Sequence, residues 1–151
     1  MKMTISLIFL FFASCAQPKY VNENNNNQDN NSADQTGADC STRFAQSQVC
    51  VSWYWEKKPT SSDIGSLIFK TFRLNTFDHT AIELNTVSVP QVQLWMPGMG
   101  HGSTPTHVTQ LDVGTYRAEN VFFIMPGEWD MRFQIKDGDT VSDEALMHIT
   151  F

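Results

Sequence analysis

One short segment concentrates side chains that bind soft metal ions. Residues 95–102 read Trp95-Met96-Pro97-Gly98-Met99-Gly100-His101-Gly102. Proline and repeated glycine oppose helix and strand, so the segment is expected to be a tight exposed turn system. It carries two thioethers and one imidazole, with glycines that let side chains three and five positions apart converge. Thioethers with imidazole suit Cu(I), and hard cations such as Mg²⁺ or Ca²⁺ would reject them. A second Met-Pro-Gly, Met125-Pro126-Gly127, follows a later apolar run. If both turns lie at the same end of the fold, Met125 adds a further sulfur to Met96, Met99 and His101. Methionine is also a common filler of core gaps, so each of these residues has an ordinary packing role to set against the ligand role. Of the other histidines, His79 falls in an expected hairpin turn, and His107 and His148 fall on expected strands, His148 on the polar face.

The elements around this segment repeat with period two. Met131, Phe133 and Ile135 alternate with Arg132 and Gln134, and Ala145, Met147, Ile149 and Phe151 with Leu146, His148 and Thr150. Val51, Trp53 and Trp55 alternate with Ser52 and Tyr54. Each is the pattern of a strand with one buried face. Leu67–Leu74, Val87–Trp95, Val108–Leu111 and Tyr116–Ile124 complete a set of seven. Turn signals separate them at Asp78-His79, Pro97-Gly98, Val113-Gly114, Pro126-Gly127 and Asp137-Gly138-Asp139. The expected fold is all-β, an immunoglobulin-like antiparallel β-sandwich of about seven strands over residues 40–151, with a small closed barrel as the alternative.

The first residues read as an address. Lys2 precedes the apolar run Ile5–Phe12, then Ala13-Ser14-Cys15, so residues 1–14 are expected to be an export signal. Phe12-Ala13-Ser14-Cys15 resembles the bacterial lipobox, whose cysteine takes lipid and becomes the mature N-terminus. Residues 15–39 are then a lipidated, asparagine-rich tether, because they offer almost nothing to bury. With Cys15 lipidated, Cys40 and Cys50 remain, an even number in an oxidising compartment, and a disulfide between them is expected. The competing metal-thiolate pair lacks a nearby histidine. Ala16 after Cys15, with no acidic residue there, fits outer-membrane sorting in a double-membraned bacterium, with the domain facing the periplasm or the cell surface.

The 151 residues carry a net charge of -6 and an isoelectric point near 5.0. No basic stripe is present, so nucleic acid is not an expected partner. There is no nucleophile elbow, no His-Glu-x-x-His and no Gly-rich phosphate loop, and Glu128 with Asp130 reads as solvated charge at a strand start. The chain is therefore expected not to be an enzyme.

The stretch Leu94–Ser103, the run Gly114-Thr115-Tyr116-Arg117-Ala118 and the later Phe123-Ile124-Met125-Pro126-Gly127-Glu128-Trp129-Asp130 resemble the YtkA-like domain family, related in pattern to FixH. The resemblance runs from about Trp53 to Phe151. It implies a small exported or membrane-attached β-sandwich associated with copper handling. Carried over position by position, it implies Met96, Met99, His101 and Met125 as metal ligands. The expected function is a monomeric copper chaperone or buffer, favouring Cu(I), that exchanges its ion with a donor or acceptor protein. The alternative is a non-metal adhesive or interaction module displayed on the tether, with Trp53, Tyr54, Trp55 and Trp95 as recognition or core aromatics.

Overall fold

The structure is a computed structural model that describes residues 39–151. The expected signal at residues 1–14, the lipid acceptor Cys15 and all but the last residue of the expected tether lie outside the described residues.

Ten strands and no helix form among the described residues: β1 (Thr42–Arg43), β2 (Cys50–Lys57), β3 (Gly65–Leu74), β4 (Ala81–Glu83), β5 (Gln91–Met96), β6 (His101–Gly102), β7 (His107–Asp112), β8 (Thr115–Val121), β9 (Glu128–Asp137) and β10 (Thr140–Thr150). They make two antiparallel sheets that form an open sandwich of immunoglobulin-like type. One sheet has the order β1-β2-β3-β8-β7, with β4 also paired to β3; the other has the order β10-β9-β5-β6. All seven expected strands are present, and the three additional ones are short. Five expected turns fall between strands as read.

The core lies between the sheets and follows from the period-two pattern. Val51, Leu67, Phe69, Tyr116 and Ala118 face Val92, Leu94, Trp129, Met131, Phe133 and Ala145, and all of these are buried. Phe69 joins the layers, with its ring centroid 5.0 Å from Tyr116 in its own sheet and 5.0 Å from Phe133 in the other. Such aromatic contacts add to plain area burial.

Two strand boundaries differ from the sequence reading. The strand expected from Val87 begins only at Gln91. Pro90 has no N–H to give a ladder, and Thr86 turns the chain by donating from Oγ1 to the Ser88 carbonyl, which leaves Val87 94% exposed. The strand expected to reach Ile124 stops at Val121. Its predecessor Asn120 has φ of 60°, a conformation that breaks a ladder.

The expected disulfide is present: Cys40 and Cys50 are bonded, with Cα atoms 5.2 Å apart. The turn it encloses is tied to the opposite sheet by Asp143. This buried carboxylate accepts from the Gln46 and Ser47 N–H groups at 2.9 and 2.8 Å, and from the Glu144 N–H at 2.9 Å. Burial pushes the Asp143 carboxyl up, but these donors outweigh it and hold the group below the ordinary aspartate value of 3.8. A carboxyl depressed in the folded state stabilises above its unfolded value and loses that contribution as pH falls through 3.8 toward the folded value. Asp143→Asn should therefore lower the Tm at pH 7, and thermal melts should show the gap from the parent narrowing steadily between about pH 4.5 and pH 2.5. A gap that stays constant over that range would exclude this role.

Candidate functional site

Strand direction decides which loops meet. β3 and β8 pair so that Gly65 lies opposite Val121, while β9 starts, and β5 ends, at the same end of the sandwich. The β5–β6 hairpin and the Phe122–Gly127 connection therefore share one end. His79, in the β3–β4 turn with φ of 57°, is at the other.

The hairpin is tighter than the glycine content suggested. It was expected to contain no strand, yet His101 and Gly102 pair with Met96 and Trp95 as β6. The Met96 carbonyl accepts from the N–H groups of Met99 at 3.2 Å and Gly100 at 2.9 Å. Gly100 closes the turn at φ of +67°, where a β-carbon would be strained.

Register then places the donors. Residues directly opposite in an antiparallel pair project from the same face with β-carbons about 5 Å apart, so Met96 and His101 are cross-strand neighbours. That face is the inner one, since Val92, Leu94 and Met96 are all buried. Met96, at 5% exposure, is thus a core residue as well as a candidate donor. Its methyl reaches the second Met-Pro-Gly turn: a β-carbon added at Gly127 would lie 2.9 Å from Met96 Cε. Met125 sits on that same turn at the rim, partly exposed, and its carbonyl accepts the Trp129 indole N–H at 3.1 Å. Met99 is at the hairpin tip and 63% exposed. The end of the sandwich thus collects a buried thioether, a half-buried imidazole, a rim thioether and a tip thioether. Met96 and His101 are adjoining positions, Met125 is on the turn whose Gly127 meets Met96, and Met99 is at the exposed tip.

His101 has one ring nitrogen engaged by the backbone. Its Nδ1 lies 3.2 Å from the Gly102 carbonyl, and a carbonyl only accepts, so this contact needs the proton on Nδ1. In the neutral imidazole this leaves the lone pair on Nε2, the usual way a neighbouring acceptor selects one ring nitrogen.

The remaining histidines are elsewhere. His107 is exposed at the start of β7 and lines an open cleft of about 480 Å³ along the free edge of β5. His148 is on the outer face of its sheet, its Nδ1 2.7 Å from Asp130 Oδ1. Asp130 corrects the reading of solvated charge. It is only 4% exposed, because β9 is an inner strand flanked by β10 and β5, and its other oxygen accepts from Arg132 Nη2 at 3.1 Å. The Arg132 guanidinium in turn lies 5.5 Å from the Trp95 ring centroid. Among the described residues, no three His, Cys, Asp or Glu side chains are grouped to hold one ion.

Sequence reasoning used Trp129 only as part of the family resemblance and gave it no place at the site. It is 1% exposed, stands T-shaped to His101 with centroids 6.2 Å apart, and is packed from behind by Phe123 at 5.4 Å. The available signal was its place two residues after the second Met-Pro-Gly.

Residues 69–134 match the model of the YtkA-like family. The match covers β3 to the middle of β9, including the hairpin and both Met-Pro-Gly turns. It is narrower than the expected span from Trp53 to Phe151, and leaves out the disulfide, β2 and His148. No curated protein and no solved structure is significantly similar to the chain.

Proposed function

We propose that the chain, which carries a YtkA-like domain, binds Cu(I) as cargo at the hairpin end of its sandwich and passes it on by ligand exchange. The observation that supports this most directly is the register that sets Met96 against His101 on one face, with the Met125 turn against Met96. The donors fit the ion: thioethers carry no charge and lose no proton, and a half-buried imidazole adds one nitrogen. Met96, His101 and Met125 form the held side. Met99, out at the tip, is the ligand that an incoming partner would displace. The protein acts as a carrier or buffer and performs no covalent chemistry in this reading.

The reading includes export and anchorage by a lipid on Cys15, with the domain facing the periplasm or cell surface and the outer membrane as the favoured site. Cys15→Ser should leave an unprocessed precursor that no longer partitions into detergent with the membrane fraction. A mature protein that is free of lipid and begins at another residue would end that part of the proposal.

The deciding experiment is metal analysis of the purified protein after loading with Cu(I) under reducing conditions and desalting. About one copper per chain is expected. Retention of no more copper than a Met96→Leu/Met99→Leu/His101→Gln variant would leave the interaction module as the better reading.

A further inference from the structure

The buried indole of Trp129 stands beside His101 at the hairpin end. Trp129 meets both the Met125 turn and His101. Its N–H anchors the Met125 carbonyl at 3.1 Å, its ring stands at 69° to the His101 ring, and it follows the second Met-Pro-Gly against which Met96 packs. Asp130 pairs with Trp95 in the β5–β9 ladder, so continuing that register by one residue brings Trp129 level with Met96. Both are buried and face the core.

We infer that Trp129 is the wall of the metal site and binds the ion through the face of its indole. This deepens the copper reading and rests on it. An ion held by Met96 and His101 is on the side of the sheet that Trp129 occupies. There it is shielded from water by Trp129 and Phe123, and the inner face at this end offers no carboxylate to complete its coordination. An aromatic face attracts a cation electrostatically, most strongly for tryptophan and most strongly when desolvated. A compact, weakly hydrated monovalent ion suits such a wall, whereas a divalent ion wanting oxygen ligands gains little from it. The N–H bond to Met125 at 3.1 Å keeps the ring in place beside His101.

The test uses Ag(I), a soft monovalent ion that does not change oxidation state, with the purified protein. Titration should quench tryptophan fluorescence saturably and produce an ultraviolet difference band from a perturbed indole. The chain has four tryptophans, and the effect should persist in Trp53→Phe, Trp55→Phe and Trp95→Phe and vanish in Trp129→Phe. Affinity in Trp129→Phe should fall about three- to tenfold, since phenylalanine keeps a weaker face. If Trp129→Phe fails to fold, biosynthetic replacement by 5-fluoro- and 5,7-difluorotryptophan decides, because fluorine weakens the ring's negative face with little change in shape. Affinity should then fall stepwise with fluorination. Equal Ag(I) affinity across the fluorinated series, or unchanged quenching in a folded Trp129→Phe, overturns the inference while leaving the copper reading intact. If the parent protein takes up neither Ag(I) nor Cu(I), both fall together.

Discussion

Met99→Leu is expected to weaken Cu(I) binding by roughly tenfold or more while leaving the thermal midpoint nearly unchanged. The size is scaled from the 10- to 100-fold cost of losing even an outer-shell partner of a metal. The two effects separate because of exposure. Met99 is 63% exposed at the hairpin tip, so leucine there loses almost no packing, and even in cores such near-isosteric swaps usually cost under about 1.5 kcal/mol. Leucine has no sulfur lone pair, so a ligand role must show. Met96→Leu should lower affinity alike, with some stability loss because Met96 is buried against Gly127. Met131→Leu is the control: Met131 is fully buried further along β9, and its replacement should leave copper affinity untouched. Competition titration against a Cu(I) chelator measures all three. If Met99→Leu and Met131→Leu bind Cu(I) equally well, the hairpin is a turn and not a metal site.

The largest loss of stability is expected at the opposite end, from Gly114→Ala. Gly114 has φ of +62°, and an added β-carbon would lie 2.6 Å from the Thr71 carbonyl oxygen and 2.9 Å from the Leu84 nitrogen. These are backbone atoms, held by bonds from Thr71 N–H to the Gly114 carbonyl at 2.7 Å and from Leu84 N–H to the Thr71 carbonyl at 3.0 Å. The Gly114 N–H itself donates to Asn85 Oδ1 at 2.8 Å. Left-handed backbone in a residue with a β-carbon costs about 1–2 kcal/mol. Relieving the overlap must also lengthen at least one of these bonds, worth about 1 kcal/mol each. A total near 3 kcal/mol corresponds to a drop in Tm of about 12 °C for a domain of this size. Copper affinity of the folded protein at low temperature should be unchanged, since the site is at the other end. A Tm shift under 3 °C would show that the β3–β4 and β7–β8 turns yield more easily than their bonding suggests.

How much of this could be read from the chain depends on how local each cause is. Met131-Arg132-Phe133-Gln134-Ile135 declares its strand because one face of β9 meets the core, and period two is a property of adjacent residues. The short strands β4 and β6 carry no such run: Ala81–Glu83 is exposed throughout, and His101–Gly102 exists only because Gly100 folds it back onto Trp95 and Met96. Asp130 looked solvated because its cross-strand partner His148 is 18 residues away in sequence, and burial comes from strands on both sides. The donor residues were legible as types. Their division into a buried Met96, a rim Met125 and an exposed Met99 was not, because it follows from register and strand order. The placement of Trp129 beside His101 was hidden for the same reason.

The Cys40–Cys50 bridge also decides how the domain carries a mechanical load. A pull on the chain upstream of residue 40 would reach the fold first at β1, which has only two residues paired to β2 and would peel away like a short zipper. The covalent link passes the tension directly to Cys50, the first residue of the eight-residue strand β2. The β1 segment and the turn pinned by Asp143 are left slack between the two sulfurs. Reduction would add the enclosed residues to the load-bearing path, about 30 Å of extra reach at roughly 3.4 Å per residue. Any load applied upstream would thus meet a short, stiff connection while the bridge is intact and a longer, softer one after reduction.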